Sequence, residues 1–310
     1  MKTAAILAVT LALGAFAGAQ QQSSAPQNKP AGQAATAPAA PQGKRPPQAK
    51  TQPEFDAYKA AMTNPSDGPA IEKAADDFAA KFPDSELRVL LYRTAMHAYQ
   101  SANNADKMME MGRKVLAIDP DDPEALIGVA QVLAERTRDT DLDKDQRWNE
   151  ALTMAQKSLS TIDSDVAASP GTPPDKIEAY KNFLRSDAYL VVGSVQYNEG
   201  KYPDAQASLQ KSIDVYPSQP DPIAVLRLAL AFDKQEKYQD ALKYANQAVG
   251  MTQESTAIGS AARHERDRLM QLTGAVIPAP SAAPAQPAGG AGTPAQPAGT
   301  GTPTQTPPQK

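Results

Sequence analysis

The chain has 310 residues, with 31 Lys and Arg against 35 Asp and Glu, two histidines, 28 prolines and no cysteine. All the acids fall between residues 54 and 274, where they outnumber basic residues by 35 to 25, a balance that argues against nucleic-acid binding. Without cysteine there can be no disulfide, zinc finger, iron–sulfur cluster, cysteine nucleophile or lipid-bearing N-terminal cysteine.

Taken in chain order, the first element is an address label. Met1-Lys2 is a short basic start, residues 4–17 form an apolar run, and Ala17-Gly18-Ala19 supplies an A-x-A cleavage site before Gln20. This is the pattern of a secretory signal peptide, and the run is short for a membrane span. The expectation is a chain cleaved after Ala19 and exported, either periplasmic or secreted, with no membrane span in the mature protein. Residues 20–53 lack Phe, Tyr, Trp, Ile, Leu, Val and Met, and residues 275–310 hold only Val276 and Ile277 among large apolar side chains. Neither segment has the apolar surface to offset the entropy of ordering, so both are expected to be disordered linkers.

Residues 54–274 are expected to be all-helical. Apolar residues recur there at spacings of three and four, and no long alternating β-branched run interrupts them. The clearest block runs from Ser186 to Gln219. Tyr189, Val192, Gly193 and Gln196 fall on one face of a first helix, which Glu199-Gly200-Lys201 ends. Pro203 suits the first turn of a second helix with Ala205, Leu209, Ser212 and Ile213 as its buried stripe. Pro217 stops that helix, and Gly193 and Ala205 are small enough for a close approach between the two. The block resembles the tetratricopeptide repeat, W-x2-L-G-x2-Y…A-x3-F…P, over Tyr189, Val192, Gly193, Gln196, Ala205, Leu209 and Pro217. Gln196 departs from the aromatic position of the pattern.

Looser copies flank the block. One follows through Val225, Leu228, Ala229, Phe232, Ala241, Ala245 and Ala248. Others precede it through Tyr92, Ala95, Met96, Tyr99, Met108, Gly112 and Val115, and through Leu126, Val129, Ala130, Leu133, Ala151, Ala155 and Ser158. A degenerate first copy uses Phe55, Tyr58, Met62, Ile71, Ala75 and Phe78. The resemblance implies a right-handed superhelical solenoid of about five helix pairs over 54–274, closed by a capping helix with Ile258, Ala261, Ala262, Leu269 and Leu272 on one face. Residues 137–147 are an insertion. Residues 163–175 are a possible break, after which Asp175-x-x-Glu178 has the form of a capping box opening a long helix. Ser255 is the expected cap of the last helix and Gly274 its end.

Chemistry-bearing residues are sparse. His97 and His264 are far apart in sequence, there is no phosphate-binding glycine loop, and no nucleophile–base set can be placed, so no catalytic residue and no cofactor are expected. Met108, Met109 and Met111 read as core filler, although methionine also suits adaptable binding surfaces. Residues 139–150 place Asp139, Asp141, Asp143 and Glu150 on the offsets of a calcium loop, but Lys144 stands where that loop requires glycine. The segment is thus either a weak calcium site serving a calcium-dependent adaptor or an exposed acidic insertion.

What the resemblance implies functionally is partner binding. In similar proteins the first helices of the pairs line a groove that takes a peptide or helix of another protein. On that basis the candidate partner-binding residues are Arg93, His97 and Gln100; Gln131 and Glu135; Ser194, Tyr197 and Asn198; and Leu230 and Lys234. The expected function is a non-enzymatic scaffold of the bacterial cell envelope, with an enzyme built on an unfamiliar carboxylate site as a remoter alternative.

Overall fold

A computed structural model describes residues 43–169 and 171–275. The expected signal peptide, its cleavage site, the linker up to residue 42 and the tail from 276 onward lie outside the described residues. Among the described residues there are eleven helices and no strand: α1 (Gln52–Ala61), α2 (Gly68–Lys81), α3 (Leu87–Ser101), α4 (Ala105–Ile118), α5 (Pro123–Arg136), α6 (Lys144–Asp165), α7 (Pro174–Asn198), α8 (Tyr202–Val215), α9 (Pro222–Asp233), α10 (Tyr238–Met251) and α11 (Ala257–Thr273).

Local chemistry starts these helices. Asp67, Asn104, Asp122, Asp221 and Thr256 each stand at an N-cap and accept a hydrogen bond from a backbone N–H of the first turn. Such caps each contribute about 1 kcal/mol. Proline occupies the first turn of α1, α2, α5, α7, α8 and α9, where its missing N–H removes no helical bond. Three of the turns within pairs are built alike. The N–H of Asn104, Lys201 and Lys237 donates back to the carbonyl of Tyr99, Gln196 and Phe232, at 2.9, 2.9 and 3.0 Å. Each turn passes through one left-handed residue: Asn103, Gly200 or Glu236, with φ of 56°, 78° and 59°. This is a Schellman-type ending, and its recurrence is the structural imprint of the sequence repeat.

Helices pack as five antiparallel pairs, α1–α2, α3–α4, α5–α6, α7–α8 and α9–α10, with α11 laid over the last. Each odd-numbered helix also packs on the even-numbered helix before it. Neighbouring odd helices touch across pairs at α1–α3, α5–α7, α7–α9 and α9–α11, so the array has an odd-helix layer and an even-helix layer. The chain is an all-α solenoid of five pairs and a capping helix.

Side-chain size sets the distance within a pair. Ala205, Leu209 and Ser212 of α8 are fully buried, and a Cβ added to Gly193 of α7 would lie 2.6 Å from Leu209 Cγ. The Ser186 and Ser212 hydroxyls each donate to the other residue's carbonyl at 2.8 Å, satisfying both inside the interface. Met108 and Met111 are buried in the core of the first pairs, as expected of filler. The connection at 166–173 does not divide the array. Ile127, Ile162, Val166, Leu184 and Ala188 form one cluster across it, and α7 packs on both α5 and α6.

Three local expectations need correction. The segment 43–51, read from its composition as part of a disordered linker, lies against the folded array, and α1 starts at Gln52. Its start is a true capping box: the Glu54 N–H donates to Thr51 Oγ1 at 3.3 Å while Glu54 Oε2 accepts from the Thr51 N–H at 3.2 Å. The Asp175–Glu178 box does not form. The N-cap of α7 is Pro173, which has no side-chain acceptor, and Glu178 pairs instead with Arg185 at 2.9 Å. The last helix is capped by Thr256 rather than Ser255, and Gly274 ends it in the left-handed conformation.

Candidate functional site

The odd-helix layer carries three groups of polar side chains. The first joins α3, α5 and α7. Arg93 donates to Asp122, the N-cap of α5, and lies 3.5 Å from Glu124, while His97 Nε2 is 3.0 Å from the same glutamate. The Tyr180 hydroxyl of α7 lies beside Glu124. Burial is the largest single influence and opposes ionisation of Glu124, yet Arg93, His97 and Tyr180 together outweigh it and hold this carboxyl well below the usual range. Burial and the adjacent Glu124 push the Tyr180 phenol up. Arg93 is therefore committed to the joint between pairs, with its side chain 24 % exposed and Asp122 fully covered. Opening that joint would strand a buried carboxylate.

The second group is purely acidic. Asp187 of α7 is partly buried beside Asp221, the N-cap of α9, and no hydrogen bond or ion pair to Asp187 occurs among the described residues. Burial first, and the Asp221 charge second, push the Asp187 carboxyl up to about 7. Burial likewise raises Asp221, although the Ile223 N–H donates to it at 2.6 Å.

The third group spans α5, α7, α9 and α11. Arg227 of α9 is partly buried, forms no hydrogen bond or ion pair among the described residues, and faces Glu135 of α5 and Tyr197 of α7. Burial pulls its guanidinium below the usual arginine range, with Glu135 and Tyr197 opposing the shift. On the flank of α9 adjoining Arg227 an open hollow of about 490 Å³ is lined by Leu226, Leu230, Ala257, Ser260, Ala261, His264 and Glu265. Arg268 bridges α11 to α9 at its edge, bonding Glu265 at 2.9 Å and Asp233 at 2.5 Å. A cation with no ion pair among the described residues, one residue from the edge of a partly apolar hollow, can receive an anionic group and a nonpolar side chain together.

The ten candidate residues fall differently on this surface. His97, Gln100, Glu135 and Lys234 are exposed, and Leu230 lines the hollow. Gln131 donates to Glu135 at 3.0 Å, and Asn198 donates to the Ala134 carbonyl at 3.5 Å, so α5 and α7 are tied together at the surface. Tyr197 is partly buried, edge-on to Tyr202 with ring centroids 5.4 Å apart. Ser194 is buried, 5 % exposed, and cannot meet a partner. The cause is that α7 packs on α5, α6, α8 and α9, which leaves its middle little free face. Arg93 is engaged as described.

Tyr180, Asp187, Asp221, Arg227 and His264 were missed. Arg227 lies three residues before Leu230, on the same helical face, so helical spacing could have found it. Asp187 carried no signal beyond its position seven residues after Tyr180.

The acids of 139–150 are not gathered around a common point. Asp139 is 3.7 Å from Lys144, Asp143 bonds Arg147 at 2.7 Å, Glu150 bonds Arg113 at 2.8 Å, and Asp141 accepts from the Arg138 N–H at 2.9 Å. Among the described residues no three His, Asp or Glu side chains are grouped as metal ligands. No helix among them is long and apolar enough to cross a membrane.

Comparison with known proteins agrees with the repeat geometry. A tetratricopeptide repeat family model matches residues 193–256. No curated protein matches. Solved structures similar to the chain include the MamA protein, 16% identical over 73% of this chain and 96% of that one, with a TM-score of 0.43. A thermophilic tetratricopeptide protein of Thermus thermophilus is 12% identical over 68% and 98%, also at 0.43. PilW, a type IV pilus biogenesis factor, is 21% identical over 72% and 95%, again at 0.43. At these values the likenesses say nothing of partner or process. Arrays of this repeat are generally non-enzymatic scaffolds that bind other proteins. Residues 193–256 thus match the tetratricopeptide repeat, and the helix pairing and turns on either side of them repeat the same geometry.

Proposed function

We propose that this protein is an exported, non-enzymatic scaffold of the cell envelope that binds another protein on the face formed by α5, α7, α9 and α11. The observation that carries this reading is Arg227, a partly buried guanidinium with no hydrogen bond or ion pair among the described residues, one residue along α9 from Leu226 of the open hollow. A desolvated charge of this kind is costly in isolation and is compensated by an incoming anion. The hollow supplies the apolar anchor that interfaces concentrate their energy on. Export is supported by the basic start, apolar run and A-x-A site of residues 1–19.

The test is a pull-down from envelope extract with the wild-type chain, the Arg227→Glu/Leu230→Glu variant, and Lys243→Glu as a control on the even-helix layer. A protein retained by the wild type and the control but lost with the double variant supports the reading. Equal retention by all three refutes it. Export itself is checked by the mass of the chain recovered from the envelope fraction, which should begin at Gln20.

A further inference from the structure

A second surface lies away from the odd-helix face, along the loops that join one pair to the next. Residues 43–50, Gly-Lys-Arg-Pro-Pro-Gln-Ala-Lys, run extended across three of these loops. Lys50 Nζ donates to the Asp84 carbonyl at 2.7 Å, after α2. Arg45 makes a two-pronged contact with Glu86, at 2.6 and 2.8 Å, at the start of α3. The Gln48 N–H adds a longer bond to the same glutamate at 3.3 Å. Lys44 reaches Asp119 after α4 at 2.6 Å and Asp165 at the end of α6 at 3.3 Å. Its own N–H donates to the Ser164 carbonyl at 2.8 Å. The segment thus steps from the first pair to the third.

The spacing has a simple origin. Packed helices lie about 8–10 Å apart, and an extended proline-rich chain rises about 3.1 Å per residue. Six residues from Lys44 to Lys50 therefore cover about two pair-to-pair steps, and Pro46-Pro47 keeps the chain stretched between its charged ends. Arg45 holds the Glu86 carboxyl below its usual range, with burial opposing. Burial works against the charge on Lys44, but Asp119 and Asp165 outweigh it and raise its pKa.

The segment is held by charge rather than by a core. It carries no large apolar side chain, and Arg45 and Lys44 are 63 % and 38 % exposed. Exposed ion pairs are individually weak and screened by salt. What favours the bound form is tethering, which gives the segment a high local concentration at its site. Such an arrangement is exchangeable.

We infer that the edge formed by Glu86, Asp119 and Asp165 is a binding surface for a basic, proline-flanked, extended segment of another protein, and that residues 43–50 occupy it as an internal ligand that such a segment must displace. The inference is independent of the odd-helix reading, because none of these residues belongs to that face.

The probe is a fluorescein-labelled peptide of residues 43–50, followed by anisotropy on the full chain at 50 and 300 mM salt. The wild-type chain, whose edge is occupied, should bind at least tenfold more weakly than the Lys44→Glu/Arg45→Glu chain, whose own segment is expelled. Binding to that variant should fall at least tenfold at the higher salt. Adding Glu86→Lys/Asp119→Lys to it should abolish peptide binding. Lys44→Gln/Arg45→Gln replaces the charge reversal should the latter melt early. The inference is overturned if the charge-reversed chain binds no peptide, if it binds no better than wild type, or if reversing Glu86 and Asp119 leaves binding intact.

Discussion

Replacing Asp187 by Asn removes one ionisable carboxyl from the contact with Asp221 while keeping its shape. In the folded chain Asp187 keeps its proton up to about pH 7, whereas an unfolded aspartate loses it near pH 3.9. Between those values the folded state binds more protons than the unfolded state. Stability therefore falls as pH rises from about 4 to about 7, and is flat above that range with respect to this group. Three pKa units at about 1.4 kcal/mol each set an upper bound of about 4 kcal/mol. Partial solvent access should reduce this to about 2 kcal/mol. For an array of this size 1 kcal/mol moves the melting temperature by about 2–4 °C. The Asp187→Asn chain should then melt about 4–8 °C above wild type at pH 8, and the gap should close as pH is lowered toward 4. Thermal unfolding followed by circular dichroism across pH 4–8 measures both curves. A gap that stays constant with pH, or one that widens as pH falls, would refute the reasoning.

Three further substitutions probe the joints of the array. Gly193→Ala would place a methyl 2.6 Å from Leu209 Cγ and 3.1 Å from the Leu209 backbone nitrogen; denaturant unfolding should show a loss of about 1–3 kcal/mol from overpacking. Arg93→Ala leaves Asp122 and Glu124 without their cation at the α3–α5 joint, and the same measurement should give a loss of about 3–5 kcal/mol at neutral pH. Glu236→Gly relieves a left-handed residue, φ 59°, at the turn where the equivalent position in the preceding pair is Gly200; it should stabilise the chain by about 1 kcal/mol, seen as a higher melting temperature.

Those joints also show what could be read from the sequence. The block at 186–219 was legible because its constraints are local. Gly193 and Ala205 are small where helices touch, Gly200 sits where φ is positive, and Leu209 and Ile213 recur at helical spacing. Asn103 and Glu236 make the same turn without glycine, so the neighbouring copies were weaker in sequence than in structure. The segment 43–50 was misread for a physical reason. Composition measures the apolar surface a segment can bury, but this one is held by acids 38 to 121 positions away. Helical phase gives the face a residue occupies, not how many helices crowd that face, so it does not reveal the surroundings of Ser194 and Arg93. The first is buried where four helices meet α7, and the second is drawn into the next N-cap.

We propose binding of another protein on the odd-helix face. It is tested most directly by a photo-crosslinking residue placed in the full chain in cells, either at the exposed Lys234 position on α9 or at Lys243 on the even-helix layer. A discrete crosslinked partner is expected from position 234, lost when Arg227→Glu is added, and none from position 243. A partner captured from position 243 alone, or one captured from 234 regardless of Arg227, would contradict it.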